Sequence, residues 1–170
     1  ENYAFSLLGT GGRSLREIVD FVLPVVHGTY CEDGTLQGLL EMIDIPYGGC
    51  GFTASAVAMD KIIAKDVFVR AGLPVCGYVA TSAEEISADI EKVAAHIESE
   101  LGYPVYIKPA NMGSSVGITK ATDKKTLTEG LQLAAKYDRR VLAEEGINCR
   151  EIETAVLGNY NIEASVTGEI

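Results

Sequence analysis

Histidine is scarce in this chain: His27 and His96 are the only two in 170 residues. The four cysteines (Cys31, Cys50, Cys76 and Cys149) form no Cys-x-x-Cys pair and accompany no histidine cluster. This argues against a zinc site, whose ligands come as closely spaced Cys and His. Dispersed cysteines in a chain of this size point instead to a reducing compartment, so a cytoplasmic location is expected. Positive charge is also short, with 14 Lys+Arg against 24 Asp+Glu and a formal net charge of −10. A non-specific nucleic-acid binder needs a basic face to neutralise phosphates, and none is available. A small anion held by a few lysines remains open. No apolar run approaches the roughly 20 residues of a membrane helix. No basic-then-apolar leader precedes the first strand-like run, the first residue is Glu1, and residues 166–170 close no element, so both ends read as cut.

With 47% apolar and 22% charged residues, the chain can bury a core. Residues 19–26 (Val-Asp-Phe-Val-Leu-Pro-Val-Val) read as a buried strand feeding a glycine-flanked loop, 28–34. Leu36, Leu39, Leu40 and Ile43 then recur at helical spacing, and Pro46 ends that stretch. A second helix is predicted from Thr53 to Ala71, stopped by Gly72 with Pro74 beyond. The clearest helix spans 83–100, where Ser82-x-x-Glu85 is a capping box and Ile86, Ile90, Val93, Ile97 and Leu101 form one stripe. Residues 104–109 read as a strand, followed by a glycine-containing loop at 110–117 and a short strand near Ile118. A helix near 124–137 and strands at 141–144 and 152–157 complete the pattern. Alternating strand and helix gives an α/β fold, in two linked lobes.

The segment with most chemistry is Ile107-Lys108-Pro109-Ala110-Asn111-Met112-Gly113-Ser114-Ser115-Val116-Gly117. Small side chains let backbone N–H groups approach an anion, while Lys108 adds a point charge and the serines add hydroxyl donors. The pattern is not that of a P-loop. It fits a hairpin laid over phosphates, with an ordinary hairpin turn as the alternative. Lys61 and Lys65 stand four apart on a helix, a spacing that by itself most often marks a solvated stripe. Glu144 and Glu151 bracket a bend where carboxylates could accept from an adenine amino group and ribose hydroxyls, or simply face water. His27 and Glu32 lie in the loop after the first strand-like run, where open α/β sheets place ligands; a hydrogen-bonded structural histidine is the plainer reading. His96 reads as a helix residue, and no Ser/His/Asp or Cys/His arrangement is supported.

Six blocks occur in order: His27-Gly-Thr-Tyr-Cys-Glu32-Asp-Gly-Thr-Leu-Gln-Gly38, Ile45-Pro-Tyr-Gly-Gly-Cys-Gly51, Ser55-Ala-Val-Ala-Met-Asp-Lys61, Lys108-Pro-Ala-Asn-Met-Gly-Ser-Ser-Val-Gly117, Glu144-Glu-Gly-Ile147 and Arg150-Glu151-Ile-Glu. Together they resemble the D-alanine–D-alanine ligase family of the ATP-grasp superfamily, over roughly residues 19–170. The resemblance implies that 1–51 end an N-terminal Rossmann-like lobe, 52–143 form the central ATP-grasp lobe, and 144–170 begin the C-terminal one. It also implies roles. Lys61 and Lys108 would contact nucleotide phosphates, and Gly113, Ser114, Ser115, Val116 and Gly117 would close over them, with Ser114 also near the first amino acid. Glu144 would meet the adenine amino group, the Ile147 backbone the ring, and Glu151 the ribose. His27 and Glu32 would line the amino-acid side of the cleft. The implied reaction uses Mg-ATP to phosphorylate one D-alanine, whose acylphosphate is attacked by the amine of a second. A homodimer is implied for the full-length protein.

Three departures accompany the resemblance. The family's N-terminal Gly-Gly-x-Ser-x-Glu segment has only an echo at Gly11-Gly12-Arg13-Ser14. The chain ends before the stretch that supplies the Mg2+ ligands, so the 170 residues alone are expected to be inactive. Finally, Cys31 stands where the family usually has glycine; if that position has positive φ, the cysteine is strained and Cys31→Gly stabilises the loop. Joining D-alanine to D-lactate or D-serine, and nucleotide binding without catalysis, remain as alternatives.

Overall fold

The computed structural model describes residues 19–170; the segment containing Gly11 and Ser14 lies outside them. Four strands form an antiparallel sheet: β1 (Tyr78–Ser82), β2 (Val105–Pro109), β3 (Thr119–Ala121) and β4 (Arg140–Glu145), in the order β1-β4-β2-β3. Because side chains alternate along a strand, each strand presents two faces. Val79, Val105, Ile107, Ala121, Val141 and Ala143 turn to one face. There they pack with Ile86, Ala94, Ile97, Leu127, Leu131 and Ala134 from α4 (Ala83–Ala88), α5 (Ile90–Leu101) and α6 (Lys124–Ala134). Ile97, Ile107, Leu127 and Leu131 are fully buried, each stabilising the fold by roughly 1.5–3 kcal/mol.

Tyr78, Tyr106, Lys108, Leu142 and Glu144 alternate with those core residues and face the other side. The register sets Tyr78 and Tyr106 opposite Glu144, and Lys108 opposite Leu142. This second face is partly covered by α3 (Lys61–Arg70), where Ile62 packs with Ala110, Leu142 and Tyr78. A helical layer on one side and a single short helix on the other leave polar side chains of the sheet accessible from one edge.

The mixed helix-and-sheet reading holds, with four local differences. Residues 19–26 are not a buried strand. Val22 makes one parallel bridge with Tyr47, while Leu23 and Val25 are exposed; Pro24 has no N–H to extend the ladder. The helix expected from Thr53 to Ala71 breaks at Asp60 into α2 (Phe52–Met59) and α3, because Asp60 is extended (ψ 104°) and accepts the Ile62 and Ile63 N–H groups as an N-cap. The helix expected at 83–100 breaks in the same manner at Asp89, which accepts the Lys92 N–H and starts α5; its capping box at Ser82 and Glu85 is present. The strand expected at 152–157 splits into β5 (Ile152–Glu153) and β6 (Val156–Leu157). These pair with β8 (Gly168–Glu169) and β7 (Glu163–Ala164) respectively, on an exposed ribbon. The first predicted helix is α1 (Thr35–Met42).

Candidate functional site

Glu144 is the centre of charge on the open side of the sheet. Lys108, on the neighbouring strand β2, donates to its Oε2. Lys65, reaching down from α3, places its Nζ 2.5 Å from Oε1. The Cys76 thiol donates to the same Oε1 at 3.1 Å and accepts from Lys65 Nζ at 3.3 Å. The Glu144 side chain is only 12% exposed. Burial raises its pKa, but the hydrogen bonds from Lys108, Lys65 and Cys76 outweigh it and hold the carboxyl at about 2. Burial likewise opposes the charge on Lys65, and its bonds to Glu144 and Cys76 win, raising its pKa. Burial, with Glu144 beside it, pushes the Cys76 thiol up, so it stays protonated and is a donor here.

Lys61 occupies the first position of α3 because Asp60 caps the helix. Its backbone N–H donates to the Ala110 carbonyl at 3.1 Å. Its Nζ donates to the carbonyls of Met112 at 2.6 Å and of Pro109 and Ala110 at 3.3 Å. The ammonium thus clamps the root of the 110–117 loop. Burial and the nearby Lys108 charge push its pKa down, a strain that an anion between the two lysines would relieve. The same root is tied again by a network of acids. Asp60 Oδ2 accepts from Arg140 and from Asn111 Nδ2, while Asp138 Oδ2 accepts from the Asn111 N–H at 2.7 Å and Nδ2 at 3.1 Å.

Beyond this root the loop is exposed at Ser114, Ser115 and Val116. Ser114 (φ 50°) and Ser115 (φ 59°) both adopt the left-handed region, a conformation that serine reaches only at some expense and that clusters at binding sites. Gly117 follows at φ 73°, and a Cβ there would lie 2.8 Å from both Pro109 Cγ and Tyr137 Cδ2. Only glycine closes the loop in this way. Gly113 faces the other loop, since a Cβ on it would lie 3.6 Å from Gly28 Cα.

That second loop carries His27 and Glu32. Glu32 Oε2 accepts the Gly28 N–H at 2.5 Å, and Oε1 lies 3.7 Å from His27 Nδ1. His27 itself is largely exposed. Behind the loop is a cavity of about 390 Å³ whose walls include Glu32, Gln37, Ser55 and Met59. Gln37 Oε1 is buried there without a hydrogen-bond partner. Asp33 fixes the turn by accepting the Tyr30 and Thr35 N–H groups at 2.7 and 3.0 Å. Positive φ falls on Tyr30 (68°), not on Cys31. The premise for strain at Cys31 is therefore overturned.

The structure thus brings Lys61, Lys108, Glu144 and residues 113–117 to one edge, with His27 and Glu32 across the loop contact. Ile147 and Glu151 stand exposed on the segment leaving β4, outside the Glu144 cluster. Lys65 is corrected from a solvated residue to one only 9% exposed. Cys76, Asp138 and Arg140 carry no local motif and join the site through tertiary contacts; Asn111 lies within the 108–117 block, but its bonds to Asp60 and Asp138 are long-range. Asp60 had a readable signal, an Asp just before an apolar run. Among the described residues no group of three or more His, Cys, Asp or Glu side chains is placed to hold a metal ion.

The family model described as "D-ala D-ala ligase C-terminus" matches residues 67–170, and that described as "D-ala D-ala ligase N-terminus" matches 4–50. A D-alanine–D-alanine ligase of Acetivibrio thermocellus is 55% identical over 152 residues, covering 89% of this chain and 40% of the relative. One from Thermoanaerobacter sp. is 53% identical over the same length, covering 89% of this chain and 42% of the relative. Among solved structures, the D-alanine–D-alanine ligase of Coxiella burnetii superposes with TM-score 0.81 at 38% identity, covering 89% of this chain and 44% of that one. A D-Ala:D-Ser ligase of Enterococcus faecalis gives TM-score 0.81 at 40% identity, covering 89% and 43%. The chain spans about 40% of the length of the curated relatives it matches.

Proposed function

From the premise that this chain belongs to the D-alanine–D-alanine ligase family, we propose that it is the nucleotide-holding portion of an ATP-dependent ligase that joins two D-alanines. The carrying observation is the juxtaposition of Lys61, Lys108 and the 113–117 loop beside Glu144 at one edge of the sheet. Phosphoryl transfer demands positioning and charge neutralisation more than covalent chemistry from the protein. Lys108 and Lys61 supply the positive charge. Gly113, Ser114, Ser115, Val116 and Gly117 supply small, exposed backbone that can fold over phosphate oxygens. Glu144 accepts from the adenine amino group, Ile147 offers backbone to the ring, and Glu151 faces the ribose.

His27 and Glu32 line the amino-acid side, above the cavity holding Gln37, with Ser114 reaching the first D-alanine. Its carboxylate oxygen attacks the terminal phosphorus, releasing ADP and leaving an acylphosphate. The amine of the second D-alanine then attacks the acyl carbon; the C–N bond forms, the C–O bond to phosphate breaks, and inorganic phosphate and one proton leave. Loop closure excludes water, which would otherwise hydrolyse the acylphosphate. Mg2+, which the family implies, has no ligand cluster among the described residues, so what these residues bring to the phosphates is the charge of the lysines and the cover of the loop.

The lobe boundaries proposed are 1–51, 52–143 and 144–170. The full-length protein is proposed to be a cytoplasmic homodimer; no helix among the described residues is long and apolar enough to cross a membrane. D-alanine as second substrate is favoured by the names of the relatives at 46–55% identity, whereas D-serine is the partner named for the E. faecalis structure.

The test is a chimera in which the aligned 152 residues replace the matching stretch of the A. thermocellus relative. ADP release that depends on D-alanine supports the reading. Release indifferent to D-alanine, or nucleotide binding with no release, overturns it in favour of a binding module.

A further inference from the structure

We propose that Lys65 is a positioning residue for nucleotide selection: it holds the Glu144 carboxylate charged and aimed when Lys108 turns to phosphate, and so sets the preference for a base bearing an amino donor. This inference rests on the nucleotide reading above and goes a step beyond it. Two lysines on one carboxylate need an account, because either alone would satisfy its charge. Their surroundings differ. The Lys65 side chain is 11% exposed and that of Lys108 24%. Lys65 is also fixed by more neighbours: its Nζ meets Glu144 Oε1 at 2.5 Å and Cys76 Sγ at 3.3 Å, and lies 5.2 Å from the centre of the Tyr78 ring. The Tyr78 hydroxyl in turn donates to Asp66 Oδ1 at 2.6 Å, one residue along α3. Lys108 stands beside the loop root on β2, within reach of an incoming phosphate. It is the lysine that can leave.

Counting acceptor positions gives the rest. A carboxylate has about four lone-pair sites. Lys65 and Cys76 occupy two on Oε1, and Lys108 occupies one on Oε2. When Lys108 moves to phosphate, Oε2 is fully open to an amino donor while Lys65 keeps Oε1. Without Lys65, the departure of Lys108 would leave a buried carboxylate with no cation, a state that is strongly disfavoured. Lys108 would then stay with Glu144, and its ammonium would keep one of the two lone-pair sites of the oxygen meant for the base and crowd the approach to the other. Inosine nucleotides are the discriminating probe, because they carry a carbonyl oxygen where adenine carries its amino group.

The experiment is calorimetric titration of the chimera described above with ADP and with IDP, for the chimera carrying the wild-type residues, Lys65→Met and Lys65→Arg. The wild type is expected to prefer ADP by roughly tenfold or more, as befits a hydrogen bond to a charged acceptor. Lys65→Met should collapse that ratio to about twofold, and Lys65→Arg should keep most of it. If Lys65→Met weakens both nucleotides equally and preserves the ratio, Lys65 is merely structural and the inference is overturned. Should Lys65→Met not fold, as judged by its circular dichroism melt, Lys65→Gln serves for the same comparison, read in the same way. A wild type that binds ADP without preference over IDP overturns the inference but leaves phosphate binding standing. A wild type that binds neither overturns the nucleotide reading itself, and this inference with it.

Discussion

Lys61 Nζ donates to the Met112 carbonyl at 2.6 Å, tying the first turn of α3 to the loop that follows β2. The bond spans 51 residues of sequence and is charge-assisted. Together with the carbonyls of Pro109 and Ala110 it makes Lys61 the clamp of the loop root. Lys61→Met leaves three partly buried carbonyls without this donor and should cost roughly 1–3 kcal/mol. Amide hydrogen exchange across 112–117 should accelerate at least tenfold in the variant. Unchanged exchange there would mean that the Asn111 network holds the loop without Lys61.

Strain in the loop at 28–34 sits on Tyr30, at φ 68°, and the residue is 72% exposed. Tyr30→Gly therefore removes left-handed strain with little loss of packing and should stabilise the chain by about 1 kcal/mol. Cys31→Gly should not stabilise it, since Cys31 lies outside the positive-φ positions. Thermal melts of the two variants side by side decide the matter, and the opposite ranking would contradict the loop geometry.

Gly117→Ala meets both obstacles at once, positive φ and contacts at 2.8 Å with Pro109 and Tyr137. The expected destabilisation is about 2 kcal/mol or more. A melt within a degree of wild type would show that the loop closes differently.

Glu144 gives a pH signature. Its carboxyl titrates at about 2 when folded against an ordinary 4.5. A group with a depressed folded pKa contributes stability that is complete above its unfolded value and lost as pH falls through the folded one. At about 1.4 kcal/mol for each pH unit between the two values, the contribution is roughly 3 kcal/mol at neutral pH. Denaturant melts of wild type and Glu144→Gln should differ by that order at pH 7, and the gap should narrow between pH 4.5 and 2. A gap independent of pH would assign the stabilisation to packing instead.

Elements with a clean period are legible in the sequence itself. The Ile86-to-Leu101 stripe, the capping box at Ser82 and the Val105, Ile107 alternation each follow from local chemistry. Asp60 and Asp89 interrupt two predicted helices because an Asp side chain can serve as an N-cap within an apparently continuous pattern. The candidate site is legible where small residues and lysines share one stretch, at 108–117. Lys65 is not, because its burial depends on Ile62, three residues earlier on the same helix face, packing against Leu142 and Tyr78 of the sheet. Cys76, Asp138 and Arg140 reach the site only through long-range contacts, for which one sequence offers no periodic signal.

In the proposed function, a nucleotide's phosphates lie against Lys108 and the 113–117 loop. The most direct test of this placement is amide hydrogen exchange of the chimera described above with and without ADP, in the wild type and in Lys108→Met. ADP should protect 113–117 and 144–147 in the wild type, and the variant should lose that protection at the same ADP concentration. Protection that survives Lys108→Met unchanged, or that appears only around the separate cavity between β1 and α5 lined by Thr81, Glu85 and His96, would contradict the account.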